Sequence, residues 1–477
     1  MTTSHGNSHS DRGTWAHLSL KSADDAFAKG LEQSLFLKPA TAPIRWFQRR
    51  LQPWVAHSQT RLYLPQVALF LTLLILFTLP FLSSKQSAIL VFGCTAFTAL
   101  RVLLLKEEYP TGALAVTVGL FVAWGAVASS FSPFLKLSLY GYSKTITYFL
   151  CYLCFLVNLR TVRALKASVW TLVVSALVVS VYGLYQWHIK VPPLALWDDP
   201  SSNYKITRVY SFLGNPNLLA GYLLPTLSLT AFFFFDARRW LPRLALAAAF
   251  GAQLLCMYFT YCRGAWIAMV AWGGTAFVCF LLLFWHKISQ NRWFKTLLFG
   301  AVVLGCAGVV GFVLTNPALQ ERVRSLFDTE HSSNNFRINV WQSTIQMLKV
   351  YGLTGIGLGN KVFVKMYTYY MATGFRALST YNIFLEIWLE MGIVGFLLFV
   401  GVFFTHAARA VWGLMTSTSV VPRTAKVMLA AGMGALVALA THGIVDTVFF
   451  RPPVQILFWY ALALITLVSH RHFKGAS

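Results

Sequence analysis

Stretches of about 20 mainly apolar residues, separated by short polar links, recur from residue 62 to residue 470. Every backbone N–H and C=O in hydrocarbon must be paired inside its own segment, so a spanning helix needs about 20 such residues. The pattern predicts about 12 spans, at 62–82, 87–105, 111–131, 145–158, 168–187, 216–235, 243–260, 264–285, 297–315, 382–406, 425–449 and 454–470. One stretch breaks it. From 316 to 380, Arg, Asn, Gly and Tyr are interleaved with apolar residues over a length too great for a simple connector. Within NNFRINVWQSTIQMLKVYG, Ile338, Trp341, Ile345 and Leu348 recur at helical spacing and predict a short amphipathic helix on the membrane face. A glycine turn follows, at Gly355, Gly357 and Gly359.

Composition agrees with this pattern. A mean hydropathy of +0.61, with 57% hydrophobic and 11% charged residues, excludes an ordinary soluble domain, in which about 25% are charged. The chain therefore reads as all-α, a polytopic membrane protein with about 12 transmembrane helices and a long extracytoplasmic loop between helices 9 and 10. Residues 1–61 read as a polar cytoplasmic tail without a cleavable signal pattern, with 44–55 (IRWFQRRLQPWV) at the membrane surface. Residues 62–477 form the membrane domain, which includes the loop 316–380.

The formal charge of +24 would point to nucleic acid in a soluble chain. Here Lys and Arg gather in alternate short links (RVLLLKEE, LRTVRALK, DARRWLPR, HKISQNRWFK), which excludes nucleic acid as a partner and predicts both termini in the cytoplasm of a plasma (inner) membrane protein. The long loop is the exception. It is net basic on the external side, which fits either the indifference of long loops to charge or an anionic ligand. The seven Cys are odd in number and lie in or beside apolar spans, so neither a disulfide framework nor a metal site follows, and no cofactor is implied. Cys151 and Cys154 read as apolar helix residues.

Candidate chemistry gathers at the outer ends of the spans. Arg263, in YCRGAWIAM, is wedged between two apolar helices, where an arginine needs a partner or a water-filled pocket unless it snorkels to the interface. Arg337, in SSNNFRINVW, precedes the predicted amphipathic helix, so helix N–H groups and a guanidinium converge as in anion sites. Arg376 is a third candidate. Asn215 and Asn217, flanking Pro216, either cap the next span or offer neutral hydrogen bonds to a ligand. Glu386 and Glu390 share a helix face and, buried there, call for an Arg partner or a proton-handling role. His442 and Asp446 show the same spacing, with Arg451 just outside.

At GNPN, CRGAW, NNFRINVW, GIGLGN and YNIFLEIWLEMGIVG the chain resembles the O-antigen ligase superfamily, from about residue 62 to the end. VYGLYQW, RVYSFLGNPNLLAGYL and SSNNFRINVW resemble most the cyanobacterial inorganic-carbon-transporter-B (IctB) family of putative bicarbonate transporters. The superfamily implies a twelve-span fold in which an undecaprenyl-diphosphate-linked glycan is transferred, without metal, to an acceptor hydroxyl at an extracytoplasmic site. Its two diphosphate-holding arginines map onto Arg263 and Arg337. Its His-Asn pair reads Tyr381-Asn382 here, and a phenol with a pKa near 10 is a poor base at neutral pH beside an imidazole near 6.5. Glu390, Glu386 and His331 are the residues that could substitute for it. Two readings follow from the resemblance. One is a membrane protein promoting bicarbonate accumulation, the other a glycosyl ligase or polymerase for polyprenyl-diphosphate glycans. Membrane lipid and an anionic ligand, bicarbonate or the lipid-linked diphosphate, are the implied partners of either.

Overall fold

The computed structural model describes residues 46, 48, 50, 59–105, 112–194, 206–326, 328–329, 331–416 and 421–470. Of the surface segment expected at 44–55, the described residues are Trp46, Gln48 and Arg50, all helical, with Gln48 Nε2 donating to Val102 O at 3.0 Å; most of the polar tail lies outside the described residues. From residue 60 on, fifteen α-helices follow one another among the described residues: α1 Thr60–Thr78, α2 Ser84–Leu105, α3 Ala113–Ser130, α4 Leu135–Asn158, α5 Val162–His188, α6 Pro216–Asp236, α7 Trp240–Phe259, α8 Arg263–Gln290, α9 Arg292–Thr315, α10 Pro317–Arg324, α11 Ser332–Tyr351, α12 Asn360–Tyr367, α13 Ile383–Met415, α14 Arg423–Gly443 and α15 Pro452–His470. The described chain is all-helical.

Ten of these helices are long and apolar enough to cross a membrane. The spans expected at 145–158 and 297–315 fall in α4 and α9, which are not among the ten. The first half of α4, LKLSLYGYSK, is polar, and in α9 a shorter apolar run covers Lys295–Gly305. At the centre stand α6, α14 and α15, all largely buried, with α6 packed on α14 and α7, and α14 on α8. Small residues permit this approach: a Cβ on Gly434 would lie 2.5 Å from Ser228 Oγ of α6.

Residues 316–380 fold into helices rather than a loose loop. Val340 and Met347 of α11, Val362, Phe363 and Met366 of α12, and Leu389 of α13 close a small core of their own. The helix expected from the spacing of Ile338 and Leu348 is present, with two corrections. It begins at Ser332, so Arg337 lies inside it rather than ahead of it. Its buried stripe is Val340, Ser343, Thr344 and Met347, leaving Ile345 exposed, because α11 packs that stripe on α12 and α13.

The glycine turn is what anchors this unit. Gly355, Gly357 and Gly359 have φ of 80°, 93° and 106°, values that L side chains rarely adopt. The turn threads between α13 and the ends of α3 and α4, with Ile356 N donating to Leu389 O at 2.8 Å and Gly357 N to Glu390 O at 3.0 Å. These bonds are possible because α13 is broken at Gly392, whose φ is 67° and ψ −178°. Breaking a helix frees carbonyls that hydrocarbon cannot satisfy. Here the glycine turn and Trp124, whose Nε1 donates to Met391 O at 2.9 Å, take them up.

Candidate functional site

The links after α5, α7, α10, α12 and α14 meet at one end of the bundle around a cavity of ≈ 470 Å³. Arg263 and Arg337 both line it, as do Asn215, Asn217 and Tyr381. Four arginines, Arg208, Arg263, Arg322 and Arg337, face one lining carboxylate, Asp446. The excess of positive charge in a concave site favours an anion.

Arg263 is the first residue of α8. It does not snorkel. Its Nη1 donates to Ser325 O at 2.7 Å and Ser325 Oγ at 2.8 Å, and its Nη2 to Asn334 Oδ1 at 3.2 Å, so the guanidinium is fixed by the C-cap of α10 and the first turn of α11. Arg337 rests on the first turn of its own helix, with Nη1 to Ser333 Oγ at 2.9 Å. Its Nε is buried without a hydrogen-bond partner among the described residues, although a buried N–H is costly to leave unmade. Ser332 and Ser333, at the start of α11, line the same cavity, so a helix N-terminus and a guanidinium do converge, within one element.

Asn215 is the N-cap of α6, accepting from Asn217 N at 2.8 Å and Leu218 N at 3.1 Å, with Pro216 beginning the helix. Asn217 instead joins two charges. Its Oδ1 accepts from Arg208 Nη2 at 2.9 Å and its Nδ2 donates to Asp446 Oδ2 at 2.7 Å. Asp446 Oδ1 accepts from Val448 N at 3.0 Å. Asp446 lies beyond the end of α14, so His442 and Asp446 do not share a helix as their spacing suggested. His442 Nε2 meets Cys262 Sγ at 3.5 Å. Burial pushes that thiol up, but the imidazole outweighs it and leaves Cys262 below its ordinary value.

Tyr381 has φ 55° and Tyr261 φ 48°, and both line the cavity. Bulky residues in the left-handed region store strain of the kind that clusters at functional sites. Burial, then the charge of Asp446, raises the Tyr381 phenol above its ordinary value. It stays protonated at neutral pH. His331 caps α11 through Nδ1, which accepts from Ser333 N at 3.3 Å, so Nε2 of the neutral ring carries the proton.

Three expectations are corrected. Arg376 is exposed and lines neither this cavity nor the next. Its segment turns outward before Thr380 is drawn in by Glu386, whose Oε2 accepts from Thr380 N at 2.9 Å. Glu386 and Glu390 share a face but sit in a second cavity of ≈ 190 Å³, apart from the arginines. Neither has an ion-pair partner among the described residues; backbone and hydroxyl donors hold them instead, with Gly359 N donating to Glu390 Oε1 at 2.7 Å. Sequence reasoning also missed Arg208 and Arg322 as lining residues and Asp446 as the carboxylate opposite them. The one available signal was the placement of RVYSFLGNPN at the same end as CRGAW.

No curated protein matches the chain. Residues 245–400, which contain Arg263, Arg337, Tyr381 and Glu390, match the family model described as O-antigen ligase.

Proposed function

We propose that the protein is a membrane glycosyl ligase or polymerase that takes its donor glycan from a polyprenyl diphosphate, such as undecaprenyl diphosphate, and transfers it to an acceptor hydroxyl. The observation that carries this reading is the meeting of Arg208, Arg263, Arg322 and Arg337 in one cavity against a single carboxylate. A diphosphate diester bears two charges and many acceptor oxygens, and guanidinium forks match that geometry. Bicarbonate, singly charged, needs one fork. The bias of Lys and Arg toward the opposite links favours this end facing away from the cytoplasm, where a lipid-linked donor would enter sideways from the bilayer.

In this reaction the acceptor oxygen attacks the anomeric carbon, and the bond from that carbon to the phosphate oxygen breaks. The electron pair leaves on the polyprenyl diphosphate, whose developing charge the arginines stabilise. The acceptor proton goes to Asp446, which its two hydrogen bonds hold in place. Tyr381, still protonated, donates a hydrogen bond rather than accepting the proton.

Purified protein in liposomes tests this directly. Transfer from an undecaprenyl-diphosphate glycan should be lost in Arg263→Ala and Arg337→Ala and fall at least 100-fold in Asp446→Asn, by analogy with the roughly 10²–10⁴-fold supplied by a general base. Uptake of labelled bicarbonate by the wild type, abolished by the same arginine substitutions and without glycan transfer, would replace the ligase reading with the inorganic-carbon one.

A further inference from the structure

The second cavity, of ≈ 190 Å³, has a chemistry of its own. At its depth stand Glu386, 3% exposed, Glu390, 7% exposed, and Gln455, 8% exposed. Lys144, Arg451 and Asn360 ring the mouth. Glu386 Oε2 is engaged by Thr380, and Glu390 Oε1 by Gly359 N. Their other oxygens, Glu386 Oε1 and Glu390 Oε2, have no hydrogen-bond partner among the described residues, nor has the Gln455 amide. These atoms open onto the cavity, where water or a ligand meets them.

The mixture of groups narrows what that ligand is. Two carboxylates at the depth repel an anion. Lys144 and Arg451 at the mouth repel a cation, and the described residues contain no cluster of three metal-ligating side chains. An apolar ligand would leave every one of these groups unpaired. A neutral molecule with many hydroxyls satisfies acceptors and donors together, and Tyr148 and Phe450 in the wall offer flat faces to the C–H side of a ring. The volume lies below the roughly 300–1,000 Å³ of sites for drug-sized ligands, so it suits one ring rather than an extended chain.

The two cavities are close neighbours. Ser379 Oγ and Thr447 Oγ1 are hydrogen-bonded at 2.6 Å and line the smaller cavity; Tyr381 and Asp446, two residues and one residue away, line the larger. We infer that the smaller cavity binds a neutral sugar ring next to the diphosphate site, presented either by the acceptor or by the donor glycan. Its role in transfer rests on the proposed ligase reading; the binding itself does not.

Saturation-transfer difference NMR on the full chain in lipid nanodiscs, with glucose, galactose, mannose and N-acetylglucosamine as probes, tests the binding. The expected result is a saturable signal for at least one sugar that weakens tenfold or more in Glu390→Gln and in Gln455→Ala and is unchanged in Arg263→Ala, with unfolding temperatures confirming that each variant is folded. No saturable signal for any of the four, or an equal signal in both cavity variants, overturns the inference. In the transfer assay, a raised KM for acceptor in the cavity variants assigns the ring to the acceptor, and weakened donor binding assigns it to the donor. Sugar binding that persists in a protein with no transfer activity would sink the ligase reading and leave this site standing.

Discussion

The backbone N–H of Gly357 donates to the carbonyl of Glu390 at 3.0 Å, so a glycine turn in one segment completes the backbone of a helix broken in another. The same contact fixes Glu390, whose side chain accepts from Gly359 N two residues along the turn. A break at Gly392 is therefore what lets α13 present its two carboxylates to the smaller cavity and still span the bilayer below it.

Substituting Gly392→Ala tests that dependence. The residue has φ 67°, and an added Cβ would lie 2.2 Å from Leu353 O, a backbone atom that cannot swing aside. Strain of this kind costs about 1–3 kcal/mol before the clash is counted. The expected outcome is a lower unfolding temperature in detergent and a lower yield of folded protein. Trp124→Phe removes only the hydrogen bond to Met391 O, a loss of about 1 kcal/mol, and should shift the unfolding temperature less.

The Arg208–Asn217–Asp446 chain carries a second prediction. Asn217 Oδ1 faces the cation and Nδ2 the carboxylate. Asn217→Asp keeps the shape but sets a like charge against Asp446, whereas Asn217→Leu uncouples the two charges. Both should weaken binding of inorganic pyrophosphate, measured by isothermal titration calorimetry. Pyrophosphate binding unchanged in both would show that Arg208 needs no positioning.

Arg263 offers a third. One guanidinium serves Ser325 through Nη1 and Asn334 through Nη2, and a lysine, with a single nitrogen, cannot span both. Arg263→Lys should lower pyrophosphate affinity about tenfold, or about 1.4 kcal/mol, and expose the segment between α10 and α11 to protease. Retained affinity in this variant would mean that charge alone suffices.

Much of this was legible from the sequence. Apolar length gave the helices, Gly355, Gly357 and Gly359 gave the turn, and Arg263 and Arg337 stood out because arginine is costly beside hydrocarbon. What those glycines touch was hidden, because Glu390 and Gly392 lie more than thirty residues on and look like ordinary helix. Arg208 resembled a link cation of no distinction until its bond to Asn217 was seen. The spacing of His442 and Asp446 misled, since α14 ends at Gly443 and the chain turns before Asp446.

Tyr381 occupies the place where the resemblance expects histidine, and its properties yield the last prediction. Its phenol is raised by burial, so its proton stays on through neutral pH, and wild-type transfer should show no limb from it there. Histidine tolerates the left-handed backbone better than most side chains, so Tyr381→His should fold. Its imidazole, protonated below about 6.5 and a base above, should add a rising limb through that range, with a gain of tenfold or more at the plateau. A pH–rate profile of the two proteins, with Asp446→Asn in each background, separates the contributions. If Tyr381→His gains nothing at any pH while Asp446→Asn abolishes transfer in both, the carboxylate alone takes the proton and the missing imidazole does not limit the rate.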